Sequence, residues 1–246
     1  MLTYLANPHR FLRFSRYAIP VFGAFAILLG IFGLWQALFV SPPDYQQGEA
    51  VRIFYVHVPA ASCALAGYTA LAIASFISFV WRHPVADIAA RSIAVPGAAF
   101  TFLALVTGAL WGKPMWGTYW QWDGRMTSVL ILFFIYMAYL SLWSLIDDEK
   151  RASRLAGILA MVGVINIPII KFSVEWWNSL HQPATISTPG APGLPPELLT
   201  PFLAMLGAYI CFYSWLVLME MKTRVLDMQQ QRTSRRPVAN VKMETL

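Results

Sequence analysis

Polar side chains all but vanish from six stretches of the chain and gather between them. The first stretch, 20–40, is 21 residues long; at about 1.5 Å per residue, a helix of that length crosses a hydrocarbon core about 30 Å thick. Similar stretches follow at about 55–81, 93–110, 128–146, 155–170 and 202–221. The first is too long for the apolar part of a signal peptide and lacks a small-residue exit, so it reads as a retained span. Ser41-Pro-Pro-Asp44 ends it, because proline offers no amide donor and restricts the residue before it. Asn166-Ile-Pro168 predicts a kink in the fifth. The expected fold is all-α, one domain over 1–246, a bundle of six transmembrane helices with no visible repeat. A Trp-rich segment, 111–127, separates the third and fourth spans, and Gly112, Pro114, Gly117 and Gly124 argue against one unbroken helix there. Residues 1–19 form a basic lead-in, Gln182–Pro196 an irregular loop, and 222–246 a basic tail expected to be mobile.

Composition strengthens the membrane reading. Charged residues make up 12% and hydrophobic ones 58%, where a soluble domain carries about 25% charge. The net charge of +6 would suggest nucleic acid in a soluble protein; here it reports topology. Fourteen of the 18 Lys and Arg fall in 1–19, 82–92, 147–154 and 222–246, which six spans place on one side. Only Arg52, Lys113, Arg125 and Lys171 fall on the other. That bias predicts cytoplasmic termini and an outward-facing Trp-rich segment. There is no phosphate-binding Gly-rich loop and no cytoplasmic region large enough to bind a nucleotide. Cys63 and Cys211 lie in apolar spans without a Cys-x-x-Cys spacing and read as small hydrophobes.

The candidate chemistry is on the outward side. His57 and His181 are far apart in sequence but at similar membrane depth, so a bundle can bring them face to face. His9 and His83 lie in cytoplasmic segments and read as polar loop residues. Six of the ten tryptophans are outward, namely Trp111, Trp116, Trp120, Trp122, Trp176 and Trp177. An aromatic belt would populate both interfaces, so the asymmetry favours a platform for a flat apolar ligand. Two imidazoles, large aromatic faces and a few cations suit haem: imidazole ligates the iron, aromatics cover the ring, and Arg52, Lys113 or Arg125 can meet the propionates. Asp123 and Arg125 can equally pair with each other. Glu175 is either a solvated acid or the carboxylate that orients His181.

At Trp116-Gly-Thr-Tyr-Trp-Gln-Trp-Asp-Gly-Arg-Met-Thr127 the chain resembles the WWD signature of haem-handling membrane proteins, departing from it only at Met126, where leucine is usual. The stretches Pro43-Asp-Tyr-Gln-Gln-Gly48, Tyr55-Val-His-Val-Pro-Ala-Ala61, Trp111-Gly-Lys-Pro-Met-Trp-Gly117 and Ser173-Val-Glu-Trp-Trp-Asn-Ser-Leu-His-Gln182 are similar to the CcmC family of bacterial cytochrome c maturation, over nearly the whole chain.

The resemblance implies a multi-pass protein of the bacterial inner membrane that binds haem b at a periplasmic surface, with His57 and His181 as axial ligands of the iron. It implies presentation of haem to the chaperone CcmE, beside the ABC transporter subunits CcmA and CcmB and the small membrane protein CcmD. The expected role is a haem-delivery scaffold rather than an enzyme. The alternative is a haem-exporting permease subunit, which should carry a polar path through its spans; few ionisable groups lie there. An electron-transfer cytochrome should carry stacked histidine pairs inside the spans, and they are absent from the sequence.

Overall fold

The computed structural model describes residues 7–177, 179–181 and 194–234. Among them are seven α-helices and no strand. Asn7 caps α1 (Pro8–Trp35), its side chain accepting from the His9 amide at 2.9 Å with proline in the first turn. From Pro8 onward the basic lead-in is therefore helical, continuous with the first span through Pro20. The last turn widens to a π-helical one, Gln36–Val40, and stops at extended Ser41 before Pro42.

After a short loop a 3₁₀ turn, Glu49–Ile53, leads into α2 (Phe54–Trp81). His83 then caps α3 (Pro84–Trp116), its Nδ1 accepting from the Ala86 amide at 3.1 Å. This is a more specific role than that of a polar loop residue. α3 runs past the end of its apolar stretch, through Gly112 and Pro114, before stopping at Gly117, whose φ of 77° few other residues adopt. The Trp-rich segment thus begins as helix, but no single helix spans it. α4 covers Gly124–Leu145.

The fifth span is split into α5 (Glu149–Gly163) and α6 (Asn166–Trp176), as Asn166 and Pro168 predict. The break is tied down by Asn166, whose amide donates to the Ser128 carbonyl at 2.9 Å. α7 runs from Pro196 to Ser234, so residues 222–234 extend the last span as helix instead of forming a loose tail. Most of the loop expected over 182–196 and the last twelve residues lie outside the described residues.

Six segments are long and apolar enough to cross a membrane, α5 and α6 jointly forming one. α2 packs most extensively on α3, and α1 on α7. Phe11, Val85, Met221 and Val225 pack together at the end holding both described termini; Ala37, Tyr55, Leu198, Phe202 and Met205 pack at the other.

Between them lies a core around Tyr68, Leu71, Leu132, Tyr136 and Tyr139, none more than 1% exposed. A phenol buried in an apolar bundle must donate its proton. Tyr68 donates to the Ala160 carbonyl at 3.2 Å, Tyr136 to Ala64 at 3.0 Å and Tyr213 to Ile93 at 3.1 Å.

These rings demand small residues opposite them. A Cβ at Gly97 would overlap the Tyr136 ring, whereas one at Gly157 would meet Ser75 at an ordinary 3.9 Å. Overpacking typically costs about 1–3 kcal/mol. Gly97→Ala should therefore lower the Tm of the detergent-solubilised protein by several degrees and Gly157→Ala should not; equal Tm values would contradict this packing.

Candidate functional site

The loop 41–48 is pinned by Asp44, which accepts from the Gln46 and Gln47 amides, each at 2.9 Å. So held, Gln47 takes the indole N–H of Trp111 at 3.0 Å. Arg52 joins this loop to the end of α1. It pairs with Glu49 at 2.6 Å and donates to the Ala37 carbonyl and, at 3.4 Å, to that of Ser41. The Ala37 carbonyl needs such a donor, because the next π-type partner in sequence is Pro42, which has no N–H.

The end of α3 carries two indoles, each against one imidazole. Trp111 meets His57 edge-on, centroids 5.6 Å apart; Trp116 meets His181 edge-on at 4.7 Å. His57 and His181 thus lie at the same end of the bundle, each beside an indole from the last turns of α3.

Each imidazole is fixed through Nδ1. His57 Nδ1 lies 3.1 Å from the Thr107 hydroxyl. Thr107 gives its proton to the Leu103 carbonyl at 2.7 Å, so His57 is the donor. A Cβ at Gly108 would approach its Cε1 to 2.9 Å, so the ring fits only beside glycine. His181 Nδ1 lies 2.8 Å from Asp123 Oδ2. With Nδ1 as donor in both rings, each Nε2 bears a lone pair. Among the described residues neither Nε2 is hydrogen-bonded, and no cluster of three metal-ligating side chains occurs.

Asp123 holds several parts at once. Its Oδ1 accepts the Met126 amide at 2.7 Å and caps α4; its Oδ2 also accepts the Ser179 hydroxyl at 2.6 Å. Ser179 Oγ in turn accepts the His181 amide at 3.1 Å. Burial works to raise the Asp123 carboxyl, but the donors Ser179, Met126 and His181 outweigh it and hold it below its usual range. Burial lowers His181 more than Asp123 raises it. The contact is thus a hydrogen bond from a neutral imidazole to a carboxylate, although its geometry would also fit an ion pair.

The remaining predicted residues are spread more widely. Arg125 donates to the Lys171 carbonyl at 3.4 Å and does not form a close pair with Asp123. Lys113 donates to the Gly117 carbonyl at 3.0 Å and lies over the Tyr119 ring. Trp120 packs edge-on to Trp122 at 5.4 Å, and its buried Nε1 has no acceptor among the described residues. Trp176 packs against Trp177, and both rings are about half exposed. Glu175 is exposed, and Asp123 takes the place beside His181 considered for it. An open cleft of about 610 Å³ is walled by Trp122, Asp123, Val174, Trp177, Leu180 and His181. His57, Trp111 and Trp116 do not line it.

Sequence reasoning missed Gln47, Thr107, Gly108 and Ser179. Thr107, a lone hydroxyl among apolar neighbours, was the one legible signal, since such a group needs a partner.

The fold and this end of it define a multi-pass, all-α membrane protein whose two imidazoles are gathered under a group of indoles. Comparison with known proteins gives the family. The chain is 49% identical over 222 residues to heme exporter protein C of Bradyrhizobium diazoefficiens, covering 90% of this chain and 84% of that one. It is 43% identical over 229 residues to heme exporter protein C of Escherichia coli K12, covering 93% and 92%. It belongs to the CcmC family, described as heme exporter protein C, which matches residues 1–236.

The His181 environment makes a titration testable. Its folded pKa lies below the free value of about 6.5, so between the two the unfolded chain binds a proton that the folded site refuses. Stability should fall as pH drops through about 6.5, and further as Asp123 protonates below the usual carboxylate range. In ¹⁵N-histidine NMR, assigned with His181→Gln, His181 should remain mostly the neutral Nδ1–H tautomer at pH 6.5; a half-protonated ring would contradict the geometry.

Proposed function

We propose that the chain receives haem as cargo at this end of the bundle, with His57 Nε2 and His181 Nε2 on opposite faces of the iron. The observation that carries this reading is the shared state of the two imidazoles: both Nδ1 atoms are committed as donors and both lone pairs are left for a ligand. Two protein donors are too few for most bare metal ions, but enough for iron whose other four ligands are porphyrin nitrogens. The name of the relatives, heme exporter protein C, points the same way.

The site's open aromatic cleft would take part of the macrocycle against Trp122 and Trp177, with His181 reaching the iron. Arg125, whose bond to the Lys171 carbonyl is a long 3.4 Å, would release it to meet a propionate. Arg52 and Lys113 are engaged with nearby carbonyls and would have to exchange those bonds. The protein would contribute position and exclusion of water from the iron, not acid–base chemistry. One edge of the ring, left open by the cleft, would be offered to the chaperone CcmE, beside CcmA, CcmB and CcmD. The site would face the periplasm, because basic residues gather at the opposite end, around Arg82, Arg151 and Arg224.

Purified protein loaded with ferric haem should show a low-spin absorption spectrum. His57→Ala or His181→Ala should abolish or alter it, with partial recovery in added imidazole, while His9→Ala leaves it unchanged. An unaltered low-spin spectrum in both variants would remove the axial-ligand assignment. Delivery is tested separately: reconstituted with CcmE but no ATPase, a delivery scaffold should still load the chaperone, and a permease subunit should not.

A further inference from the structure

The two imidazoles are held by unequal partners. His57 gives its Nδ1 proton to a neutral hydroxyl that is itself committed to the backbone of α3. His181 gives its proton to a carboxylate at 2.8 Å, a charged acceptor that also takes the Ser179 hydroxyl. A carboxylate behind an imidazole draws the N–H proton toward itself and pushes electron density onto the far nitrogen, strengthening it as a donor to a metal. A hydroxyl does so far less. Stronger axial donation stabilises ferric iron over ferrous, so hydrogen bonding behind the ligand is one lever by which a protein sets a haem potential.

We infer that Asp123 is a positioning residue that makes His181 the dominant axial donor and thereby keeps the bound haem ferric. This rests on the haem reading above and adds to it an asymmetry between the ligands. Ser179 moderates the effect, since its hydroxyl takes part of the carboxylate's charge. Thr107 only orients His57.

The test is the midpoint potential of haem-loaded, full-length protein, measured by spectroelectrochemistry on the wild type and three variants. Asp123→Asn keeps an acceptor for the Met126 amide but loses the charge. At fixed applied potential it should cut the ferric-to-ferrous ratio at least ten-fold, about 59 mV upward for a one-electron couple. Thr107→Val should shift the ratio by much less. Ser179→Ala should shift it in the opposite direction to Asp123→Asn, and it carries the test alone if Asp123→Asn binds no haem. Equal shifts in Asp123→Asn and Thr107→Val, or an upward shift in Ser179→Ala, would overturn the inference while leaving the haem site standing. Absence of a low-spin spectrum in the wild type would overturn both.

Discussion

A carboxylate almost fully withdrawn from water at a crowded, aromatic end of a membrane bundle must be hydrogen-bonded or be neutral, and Asp123, its side chain 6% exposed, is hydrogen-bonded on both oxygens. That requirement couples three things that are distant in sequence. One oxygen starts α4, by meeting an amide that would otherwise have no partner. The other fastens the segment after α6, through Ser179, and sets the plane and tautomer of His181. Removing the side chain would therefore loosen a helix start, a loop and an imidazole together. The neighbouring Gly124 serves the same junction: a Cβ there would meet Trp177 at 3.0 Å and Ser173 at 3.4 Å, so α6 and its following indole can close on α4.

The rest of the fold provides the rigid frame. Within lipid the hydrophobic effect does not press helices together, and close packing with a few internal hydrogen bonds must do so. Tyr68, Tyr136 and Tyr213 fit that need, each a large ring in a small-residue gap with its phenol tied to another helix's carbonyl. They tie α2 to α5, α4 to α2 and α7 to α3, and the Tyr136 ring also packs on Gly97 of α3. Register matters because the last turns of α3 present Trp111 to His57 and Trp116 to His181. A slip of one residue would move both indoles by about 100° around the helix.

The spans were legible because hydrocarbon tolerates so few polar groups, and the kink at Asn166-Ile-Pro168 because Pro168 has no N–H for the Val164 carbonyl four residues back, where α5 ends. The helix ends were not: apolar length reports membrane thickness, and α7 continues 13 residues past 221 since a helix need not stop where lipid does. The paired indoles and imidazoles were legible as residue types, from the crowding of tryptophan between the third and fourth spans. Their partners were harder to see. Asp123 stood in view as a candidate for Arg125, but its bond to His181 depends on a turn at residues 179–181 that no periodicity announces. Thr107 and Gln47 reach their partners across the bundle. Pairings of that kind are set by packing between helices, which a single sequence does not encode locally.

Two imidazoles from separate parts of the chain holding one iron is the claim on which everything above the fold depends. Pulsed electron–nuclear double resonance on ferric haem-loaded protein, labelled with ¹⁵N-histidine, measures it directly. Two labelled axial nitrogens of unequal coupling should appear, with one remaining in His57→Ala. A spectrum with one axial histidine nitrogen or none in the wild type would contradict it.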